Sequence, residues 1–532
     1  MDCTAKYLSY AATGSFSKIV IDYLAQEEQL KPFYTHPGSI DGINAAIVER
    51  KKYPTDRKLL ITELQKQYEG ASLTKKQLLN LKELGNENTF TITTAHQPNI
   101  FTGHLYFIYK ILHVIKIAEE LTNAIPGNNF VPVFYMGSED ADLEELGHIY
   151  LFGEKYEWKT KQTGAVGRMK VDKALLQLID NISGQLLVYP YGNEIISLMK
   201  DCYKEGTTIE QAAFKLINSL FSAYGLIVLL PDNAELKKAF IPVIEKELKE
   251  EFSHKVVAET VAAFPAEYKI QASGRALNLF YLTDDDRLRI EKVNGQWSMV
   301  NGVKKFDAEE IKNELLDHPE RFSPNVILRP VFQEMILPNI VFIGGGGEIA
   351  YWLELKIVFE AVNVPFPVMV LRNSFMLISK EQAGILKKLK LNSDDLFKTA
   401  TELVNEIVKR DSKVQLKLEN EKQQLIDLYG KIKQLSGNVD ITLTGHSDNL
   451  SNQAIKKINA LEKKMLKAEK IKFEAQQRQL HKLKEQLFPH NELQERIENI
   501  MPFYAKWGRS FIDTLYTHSL ALVQEFGIML EK

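Results

Sequence analysis

Histidine and other polar side chains gather in a short segment of the sequence, residues 96–104. The segment contains His96, Gln97, Thr102, Gly103 and His104. At the start of a helix, it would offer free backbone amides and the positive end of the helix dipole, which favour a phosphate or a carboxylate. Imidazoles can add hydrogen-bond donors to a phosphate that is undergoing substitution. The alternative interpretation is a helix cap with a surface histidine.

Carboxylates gather in a second segment, where Ser138, Glu139, Asp140 and Asp142 lie within five residues. Such a cluster suits an amine substrate, a Mg²⁺ ion or general-base catalysis. A solvated helix N-terminus explains it equally well, because acidic side chains are favoured there.

Four consecutive glycines, Gly344, Gly345, Gly346 and Gly347, form the third segment. Without Cβ atoms, this backbone can approach a ligand closely or adopt a positive φ. The segment is not a P-loop, because no Gly-Lys-Ser/Thr ending follows. It also departs from the dinucleotide pattern Gly-x-Gly-x-x-Gly, because position 349 is isoleucine.

Side chains close to these glycines could complete a pocket. Glu348, Tyr351 and Trp352 follow the run directly, and Arg372 follows a later apolar run. An arginine there could pair with a substrate carboxylate or phosphate. For the two aromatic residues the competing interpretation is core packing, and for Arg372 it is a structural ion pair.

Five short apolar runs bounded by turn residues must position these segments, at 89–95, 130–136, 226–230, 339–343 and 366–370. They are typical of buried parallel strands, and amphipathic helical stretches separate them. We predict an α/β fold for residues 1–375, a Rossmann-like doubly wound parallel sheet with inserted segments near 151–224 and 234–338. Residues 289–297 predict a hairpin within the second insertion. Ligands of such sheets bind beyond the carboxyl ends of the strands, where all the polar segments lie.

Residues 376–500 are rich in Lys, Glu, Gln and Leu, and their apolar spacing predicts a long antiparallel α-helical coiled coil. A turn-rich stretch, 436–448, reverses the chain. The return helix changes phase between Ala468 and Phe473, as in a stutter. Its expected role is association, most simply as a homodimer. For residues 501–532 we predict a C-terminal helix, apolar from 511 to 529, that packs on the core.

The composition excludes several classes of function. With 66 basic and 69 acidic residues and a net charge of −3, nucleic acid is not an expected partner. Two cysteines are too few for a disulfide framework or a thiolate zinc site, and no zinc is expected. No apolar run approaches the roughly 18–20 residues that span a bilayer. No signal-peptide core is present at the N-terminus. We expect a cytoplasmic protein with no membrane partner.

Several longer stretches occur together: His-Gln-Pro-Asn-Ile-Phe-Thr-Gly-His-Leu-Tyr at 96–106, Pro-Val-Phe-Tyr-Met-Gly-Ser-Glu-Asp-Ala-Asp-Leu-Glu-Glu at 132–145, Gly-Ala-Val-Gly-Arg-Met at 164–169, Leu-Arg-Pro at 328–330 and Gly-Gly-Gly-Gly-Glu-Ile-Ala-Tyr-Trp at 344–352. As a set, and with the coiled coil behind them, they resemble the cysteine-adding enzymes, or cysteine ligases, of bacillithiol biosynthesis. The Thr-Gly-His-Leu part is also similar to the His-x-Gly-His signature of nucleotidyl-transferring enzymes. The chain departs from the family pattern at His104, where a proline is expected, at Ala141, and in its uniform glycine run.

The resemblance implies a ligase that joins the carboxyl group of cysteine to the amine of glucosaminyl malate, the last step of bacillithiol biosynthesis. A carboxylate does not acylate an amine at neutral pH unless it is activated, so ATP is implied, and Mg²⁺ with it. The resemblance gives phosphate binding to loop 96–103. It gives orientation of the cysteine ammonium, or deprotonation of the sugar amine, to Glu139, Asp140 or Asp142. The glycine turn would admit nucleotide or glycoside, and Arg372 would bind a malyl carboxylate.

Two other functions fit the sequence. One is a nucleotidyltransferase-like enzyme with another acceptor, and the other is a non-catalytic, nucleotide-binding coiled-coil assembly protein. The sequence also leaves open whether activation passes through an adenylate or an acyl phosphate, where the nucleotide binds, and how cysteine is selected without zinc.

Overall fold

The structure, a computed structural model, describes residues 1–272, 274–300 and 304–532. The chain forms two compact units, one made of residues 1–377 with 492–532 and the other of residues 378–491. Within the described ranges, no helix has both the length and the apolar character needed to cross a membrane.

Strands are found mainly in the first unit. In chain order they are β1 Cys3–Ser9, β2 Thr89–His96, β3 Asn129–Met136, β4 His148–Leu151, β5 Glu154–Glu157, β6 Ile227–Leu229, β7 Leu279–Leu282, β8 Arg287–Val293, β9 Gln296–Met299, β10 Lys305–Phe306, β11 Phe322–Pro324, β12 Asn339–Gly344, β13 Val368–Leu371, β14 Ser374–Ile378 and β15 Glu525–Glu531.

Helices precede, separate and follow these strands. Those before the second unit are α1 Lys18–Leu24, α2 Ile40–Arg50, α3 Arg57–Gln67, α4 Lys75–Glu83, α5 Leu105–Ala124, α6 Leu143–Leu146, α7 Lys173–Leu186, α8 Gly192–Cys202, α9 Ile209–Phe221, α10 Ala234–Lys238, α11 Ile241–Glu250, α12 Phe252–Ala263, α13 Ala308–Asp317, α14 Arg329–Ile336, α15 Gly346–Trp352 and α16 Lys356–Glu360. The second unit contains α17 Lys380–Leu389, α18 Ala400–Asp411, α19 Glu419–Val439, α20 Leu443–Lys470 and α21 Glu474–Leu487, and the chain then returns to the first unit with α22 Gln494–Ile497, α23 Met501–Trp507 and α24 Arg509–His518.

A five-stranded parallel sheet forms the centre of the first unit, and each of the five predicted apolar runs supplies one strand. The spatial order is β13-β12-β2-β3-β6, and each pair of neighbouring strands is parallel. Along the chain, β2, β3 and β6 are added toward one edge of the sheet, and β12 and β13 are then added toward the other edge. The order reverses between β2 and β12, which makes this gap the switch point of a doubly wound sheet. The Rossmann-like prediction is confirmed.

Helix α5 packs against the sheet because its apolar side chains recur every three or four residues. The side chains of Leu105, Ile108, Leu112, Ile115 and Leu121 are all buried, as the spacing predicts. The long chain segments between β3 and β6 and between β6 and β12 hold helices α6 to α14, and the second of these segments holds an antiparallel sheet of order β10-β9-β8-β7-β11.

The predicted hairpin lies in that antiparallel sheet. Strands β8 and β9 pair antiparallel, from Val293 opposite Gln296 to Ile290 opposite Met299. Asn294 and Gly295 connect them with φ values of 52° and 79°. Two successive positive φ values are those of a tight hairpin turn, which explains the Asn-Gly pair.

In the second unit, α19 and α20 form an antiparallel pair, held in part by ion pairs from Lys422 to Glu462 and from Lys433 to Asp448. The predicted turn was too wide. Both helices continue through its glycines, and only residues 440–442 separate them. The predicted change of phase coincides with a 3₁₀ turn, Ile471–Phe473, between α20 and α21.

The prediction of a single C-terminal helix was wrong. Helix α24 ends at His518, and residues 525–531 form β15, which pairs antiparallel with β1 from Cys3 opposite Glu531 to Ser9 opposite Glu525. A Cβ at Gly527 would lie 2.5 Å from the Phe375 ring, so the strand packs closely on β14. The N-terminal strand supplies the hydrogen-bond partners that turn this apolar segment into a strand.

Candidate active site

A cavity of about 880 Å³ opens at the carboxyl ends of the parallel strands, beside the switch point between β2 and β12. Its wall contains predicted residues that follow four different strands: His96, Gln97, Glu139, Asp140, Gly345, Gly346, Gly347, Glu348, Tyr351 and Arg372. Segments that are up to about 276 positions apart in the sequence thus meet at one polar site, because parallel strands present their carboxyl ends at the same edge.

His96 is the last residue of β2, and its ring stacks on that of Tyr106 with centroids 5.5 Å apart. Its Nε2 lies 3.2 Å from the Tyr106 hydroxyl, and its Nδ1 lies 2.6 Å from Oε1 of Gln97. Burial, followed by the positive charge of Lys110, holds the pKa of His96 well below its usual range. The imidazole is therefore neutral at neutral pH and can accept a proton.

Gln97 links Asp140 to His96. The side-chain amide nitrogen of Gln97 donates to Oδ2 of Asp140 over 3.1 Å. Because a carboxylate only accepts, this bond turns the amide oxygen of Gln97 toward Nδ1 of His96. The main-chain N–H of Gln97 also donates to Nδ1, over 2.8 Å, so the contacts of Nδ1 fit either tautomer of the neutral ring. In both tautomers one ring nitrogen carries no proton and can accept one.

Glu139 lies in a buried cluster of charges rather than beside His96. Its Oε1 forms an ion pair with Lys237, and its Oε2 accepts a hydrogen bond from Ser323 over 3.0 Å. Lys237 also lies 3.6 Å from Asp232, which accepts two hydrogen bonds from Arg168 at 2.7 and 2.8 Å. Because both oxygens of Glu139 have partners, this side chain is suited to fixing the cavity wall.

The glycine run forms the first turn of α15, tied to β2 by Lys110. The ammonium of Lys110 donates over 2.6 Å to the carbonyl of Ala95 and over 2.6 Å to Oε2 of Glu348. The same oxygen accepts the N–H of Gly345 at 2.8 Å. The first N–H groups of a helix have no partner within the helix, so the turn is suited to binding an anion.

None of the four glycines has a positive φ, so the run provides space rather than unusual backbone angles. A Cβ at Gly344 would lie 2.9 Å from the Cβ of Glu348, whereas a Cβ at Gly347 would meet nothing within 4 Å. Glycine at 344 permits close packing, and glycine at 347 leaves the cavity open.

The side chains of the cavity wall that sequence reasoning missed include Tyr106, Lys110, Arg287 and Arg329. Tyr106 and Lys110 lie four residues apart, on one face of α5, and a lysine within the apolar stretch 107–112 was a usable signal. Arg329 donates to the Tyr351 hydroxyl over 3.1 Å. Arg287 and Arg329 come from the long segment between β6 and β12, and only the folded chain shows that they reach the cavity.

Arg372 lines the cavity, but its donors are engaged inside the protein. Its Nη2 pairs with Oε1 of Glu495 at 2.7 Å, and its Nη1 donates to the carbonyl of Asn373 at 3.0 Å and to the hydroxyl of Ser374 at 2.9 Å. Glu495 is fully buried. This is the structural ion pair of the alternative interpretation, so the geometry does not favour Arg372 as a binder of substrate carboxylate.

Thr102 and Gly103 lie outside the cavity wall, because the C-terminal part of the chain covers them. The side chain of Asn499 donates to the carbonyls of Phe101 and Gly103 at 2.8 and 2.5 Å. The N–H of Leu105, at the start of α5, donates to the carbonyl of Glu498 at 2.7 Å. The first amide of α5 and the carbonyls that precede it are therefore bonded to protein, which does not favour a phosphate there.

Three more predicted residues lie away from the cavity. Ser138 is buried beneath it. Asp142 is exposed and caps α6 by accepting the N–H of Glu145 at 3.0 Å. Trp352 is fully buried and stacks on Phe342 with ring centroids 4.1 Å apart, so it belongs to the core. His104 does line the cavity, with its Nδ1 2.9 Å from the carbonyl of Ile497.

Comparison with known proteins gives full-length matches. Two family models together cover almost the whole chain: the N-terminal Rossmann-like domain of bacillithiol biosynthesis BshC matches residues 1–373, and the C-terminal coiled-coil domain of BshC matches residues 375–531. A relative from Flavobacterium johnsoniae is 38% identical, over 98% of this chain and 99% of its own. One from Christiangramia forsetii is 37% identical over 98% of each chain, and one from Bacillus cereus is 26% identical over 93% of this chain and 94% of its own. All three carry the name "Putative cysteine ligase BshC".

Proposed function

Because the chain belongs to the bacillithiol biosynthesis BshC family, we propose that it is the ligase that joins the carboxyl group of L-cysteine to the amine of glucosaminyl malate. The observation that carries this proposal is the single polar cavity at the switch point. A neutral imidazole, a carboxylate that orients it and a glycine turn suited to an anion all line that cavity.

The reaction needs an activated carboxyl group, since a carboxylate and an amine do not form an amide at neutral pH. Attack of the cysteine carboxylate on the α-phosphorus of ATP would release pyrophosphate and give an adenylate. Attack on the γ-phosphorus would release ADP and give an acyl phosphate. In either route the amine then attacks the activated carbonyl carbon, and AMP or phosphate leaves as the amide forms.

The glycine turn supplies the anion-binding part of this scheme. The N–H groups of Gly346 and Gly347, at the start of α15, have no intrahelical acceptor. Lys110 and Arg329 add positive charge to the same cavity wall. These residues fit the phosphates of a nucleotide, which would supply the activating group when bound.

His96 supplies the acid–base part. Its unprotonated ring nitrogen can take the proton that the acceptor amine loses when it becomes bonded to carbon. Gln97, held in turn by Asp140, fixes the position of the ring. Asp140 therefore acts through Gln97, as a positioning residue for His96.

A magnesium ion would accompany the phosphates rather than bind a protein cage. In the part of the chain that the structure describes, no group of three or more His, Cys, Asp or Glu side chains could hold a metal ion. Mg²⁺ commonly binds through one or two carboxylates together with substrate phosphates, and Asp140 and Glu348 are carboxylates of the cavity wall.

The test is to incubate the purified full-length protein with ATP, cysteine and glucosaminyl malate and to identify the products by mass spectrometry. We expect the cysteinyl amide, together with AMP and pyrophosphate or with ADP and phosphate. This pair of co-products identifies the activated intermediate. Serine in place of cysteine serves as the matched control and should give much less amide. If all three substrates together yield no amide, the proposal is wrong.

A further inference from the structure

A recess of about 350 Å³ adjoins the cavity. Asp140, Arg287 and Asn325 belong to the walls of both, and the recess adds Arg275 and Arg289. Three arginines around so small a space make it strongly cationic. Its volume lies within the range of small-molecule binding pockets.

Two of the arginines are set at a fixed spacing by the sheet. Arg287 and Arg289 lie two residues apart on β8, so their side chains leave the same face of the strand from Cα atoms about 6.7 Å apart. In the register of the sheet, Arg289 pairs with Phe280 of β7. The guanidinium of Arg287 lies over the Phe280 ring, 3.9 Å from its centroid. The antiparallel sheet thus places two guanidinium groups, in fixed orientations, on one wall of the recess.

The ion pairs of these guanidinium groups are long. Nη1 of Arg287 lies 3.5 Å from Asp140, and Nη1 of Arg289 lies 3.5 Å from Glu291. Close guanidinium–carboxylate bonds are about 2.7–2.9 Å long. Nε of Arg287 donates to the Ser323 hydroxyl over 3.4 Å. A carboxylate bound in the recess could therefore make shorter bonds to these groups than the protein supplies.

We propose that this recess binds the dicarboxylate end of the acceptor, with Arg287 and Arg289 each facing one carboxylate. The inference rests on the proposed function and deepens it, because it assigns the residues that make the enzyme specific for an acidic glycoside. Two guanidinium groups on one face of a strand suit two carboxylates on adjacent carbons of a small acid better than they suit a single carboxylate.

The chemistry of the acceptor favours this place over others. In glucosaminyl malate the amine is on the sugar carbon next to the anomeric carbon that carries the malyl group. When the amine is at His96, the carboxylates must lie close to the acid–base group. Arg287, 3.5 Å from Asp140, lies on the wall that the recess shares with the cavity of His96. The glycine turn, to which we assign the phosphates, is not part of the recess wall.

The test compares Arg289→Gln with wild type in steady-state kinetics on the full-length protein. Two acceptors are used, glucosaminyl malate and methyl glucosaminide, which has the same amine and no carboxylate. We expect the KM for glucosaminyl malate to rise about 10- to 100-fold, the effect of losing a hydrogen bond to a charged group. The KM for ATP and the rate with methyl glucosaminide should not change. Arg289→Lys keeps the positive charge but lacks the planar guanidinium group, and should give an intermediate KM for glucosaminyl malate.

Lys292→Gln is the matched control, because it removes one positive charge from the same strand at a position outside the recess. It should behave as wild type. A higher KM for ATP with an unchanged KM for glucosaminyl malate would identify the recess as a phosphate site and overturn the inference. Equal losses with both acceptors would also overturn it, since they would show a structural role.

Calorimetry with L-malate separates this inference from the proposed function. Millimolar L-malate should bind wild type and not Arg289→Gln, whether or not any amide is formed. Failure of amide formation together with this binding pattern would reject the ligase and keep the subsite. Absence of L-malate binding to wild type would reject the subsite.

Discussion

At the scale of single residues, His96 and Arg372 lie on the same cavity wall but are held in different ways. Nε2 of His96 lies 3.2 Å from the Tyr106 hydroxyl, and the pKa of His96 is depressed by burial. Both terminal nitrogens of Arg372 donate to acceptors within the protein. The first arrangement suits proton transfer and the second suits stability.

Arg372→Met should destabilise the fold, because it leaves the fully buried Glu495 without its cation. Removing one partner of a buried ion pair costs about 3–5 kcal/mol, so the free energy of unfolding measured with urea should fall by that amount. The double variant Arg372→Met with Glu495→Leu should recover part of the loss. Unchanged stability together with a raised KM for the acceptor would instead make Arg372 a substrate ligand.

Glu210 gives a prediction about pH. Burial, followed by the negative charge of Asp232, raises the pKa of Glu210 from 4.5 to about 8. Below pH 4.5 the carboxyl group is protonated in the folded and unfolded states alike. Between pH 4.5 and 8 only the unfolded state releases the proton, so the folded state loses relative stability as the pH rises. Glu210→Gln mimics the protonated form and escapes this loss.

The variant should match wild type near pH 4 and exceed its free energy of unfolding by up to about 4 kcal/mol at pH 8, since each unit of pKa shift corresponds to about 1.4 kcal/mol. Urea unfolding at both pH values measures this. An equal difference at the two pH values would mean that Glu210 does not titrate as described.

The sequence predicts side chains of the site well where a strand end places them. His96, Asp140 and the glycines follow apolar runs directly, so the rule for parallel sheets locates them. The rule fails where the partner of a residue comes from a distant part of the sequence. Glu495 neutralises Arg372, and Asn499 covers Gly103, from 123 and 396 positions away. No pattern in the sequence around Arg372 or Gly103 predicts such contacts.

At the scale of elements, the first turn of α15 decides access to the cavity. A Cβ at Gly347 would meet nothing within 4 Å, and its φ is not positive. Gly347→Ala should therefore fold normally, with a gain of about 0.5 kcal/mol in stability. The methyl group should hinder phosphates at the turn and raise the KM for ATP several-fold.

Gly384→Ala is the matched control. Gly384 lies in α17, and a Cβ there also meets nothing within 4 Å. It should give a similar gain in thermal stability without changing the KM for ATP. Unaltered kinetics for Gly347→Ala would show that ligands do not approach the turn.

Elements themselves were predictable to different degrees. The five parallel strands are short, continuous apolar runs because both faces of the sheet are covered, and all five appear. The C-terminal segment is apolar too, but whether it becomes a helix or a strand depends on β1, which lies more than 500 residues earlier. Local preference is overridden there by pairing, and this is why the helix prediction failed.

At the scale of the whole molecule, the second unit raises the question of association. Leu428, Ile432 and Leu435 of α19 are exposed and lie at positions i, i+4 and i+7, which form one apolar stripe. We expect this stripe to support a homodimer. Light scattering should give the mass of two chains for wild type and of one chain for the double variant Leu428→Asp with Leu435→Asp.

Gln434→Asp, an exposed polar position on another face of the same helix, is the control and should leave the dimer intact. A dimer that persists in the double variant would place the interface elsewhere. A monomeric wild type would reject the association itself.

Amide formation in one cavity, with a neutral His96 as the base, can be tested through the rates of wild type, His96→Ala and the exposed-histidine control His446→Ala, with circular dichroism to verify folding. We expect His96→Ala to lose at least about 100-fold in rate and His446→Ala to keep the wild-type rate. We also expect the wild-type rate, once corrected for protonation of the acceptor amine, to show no step near pH 6.5, because the pKa of His96 lies well below that value. Amide formation by folded His96→Ala at the wild-type rate would rule out this role of His96.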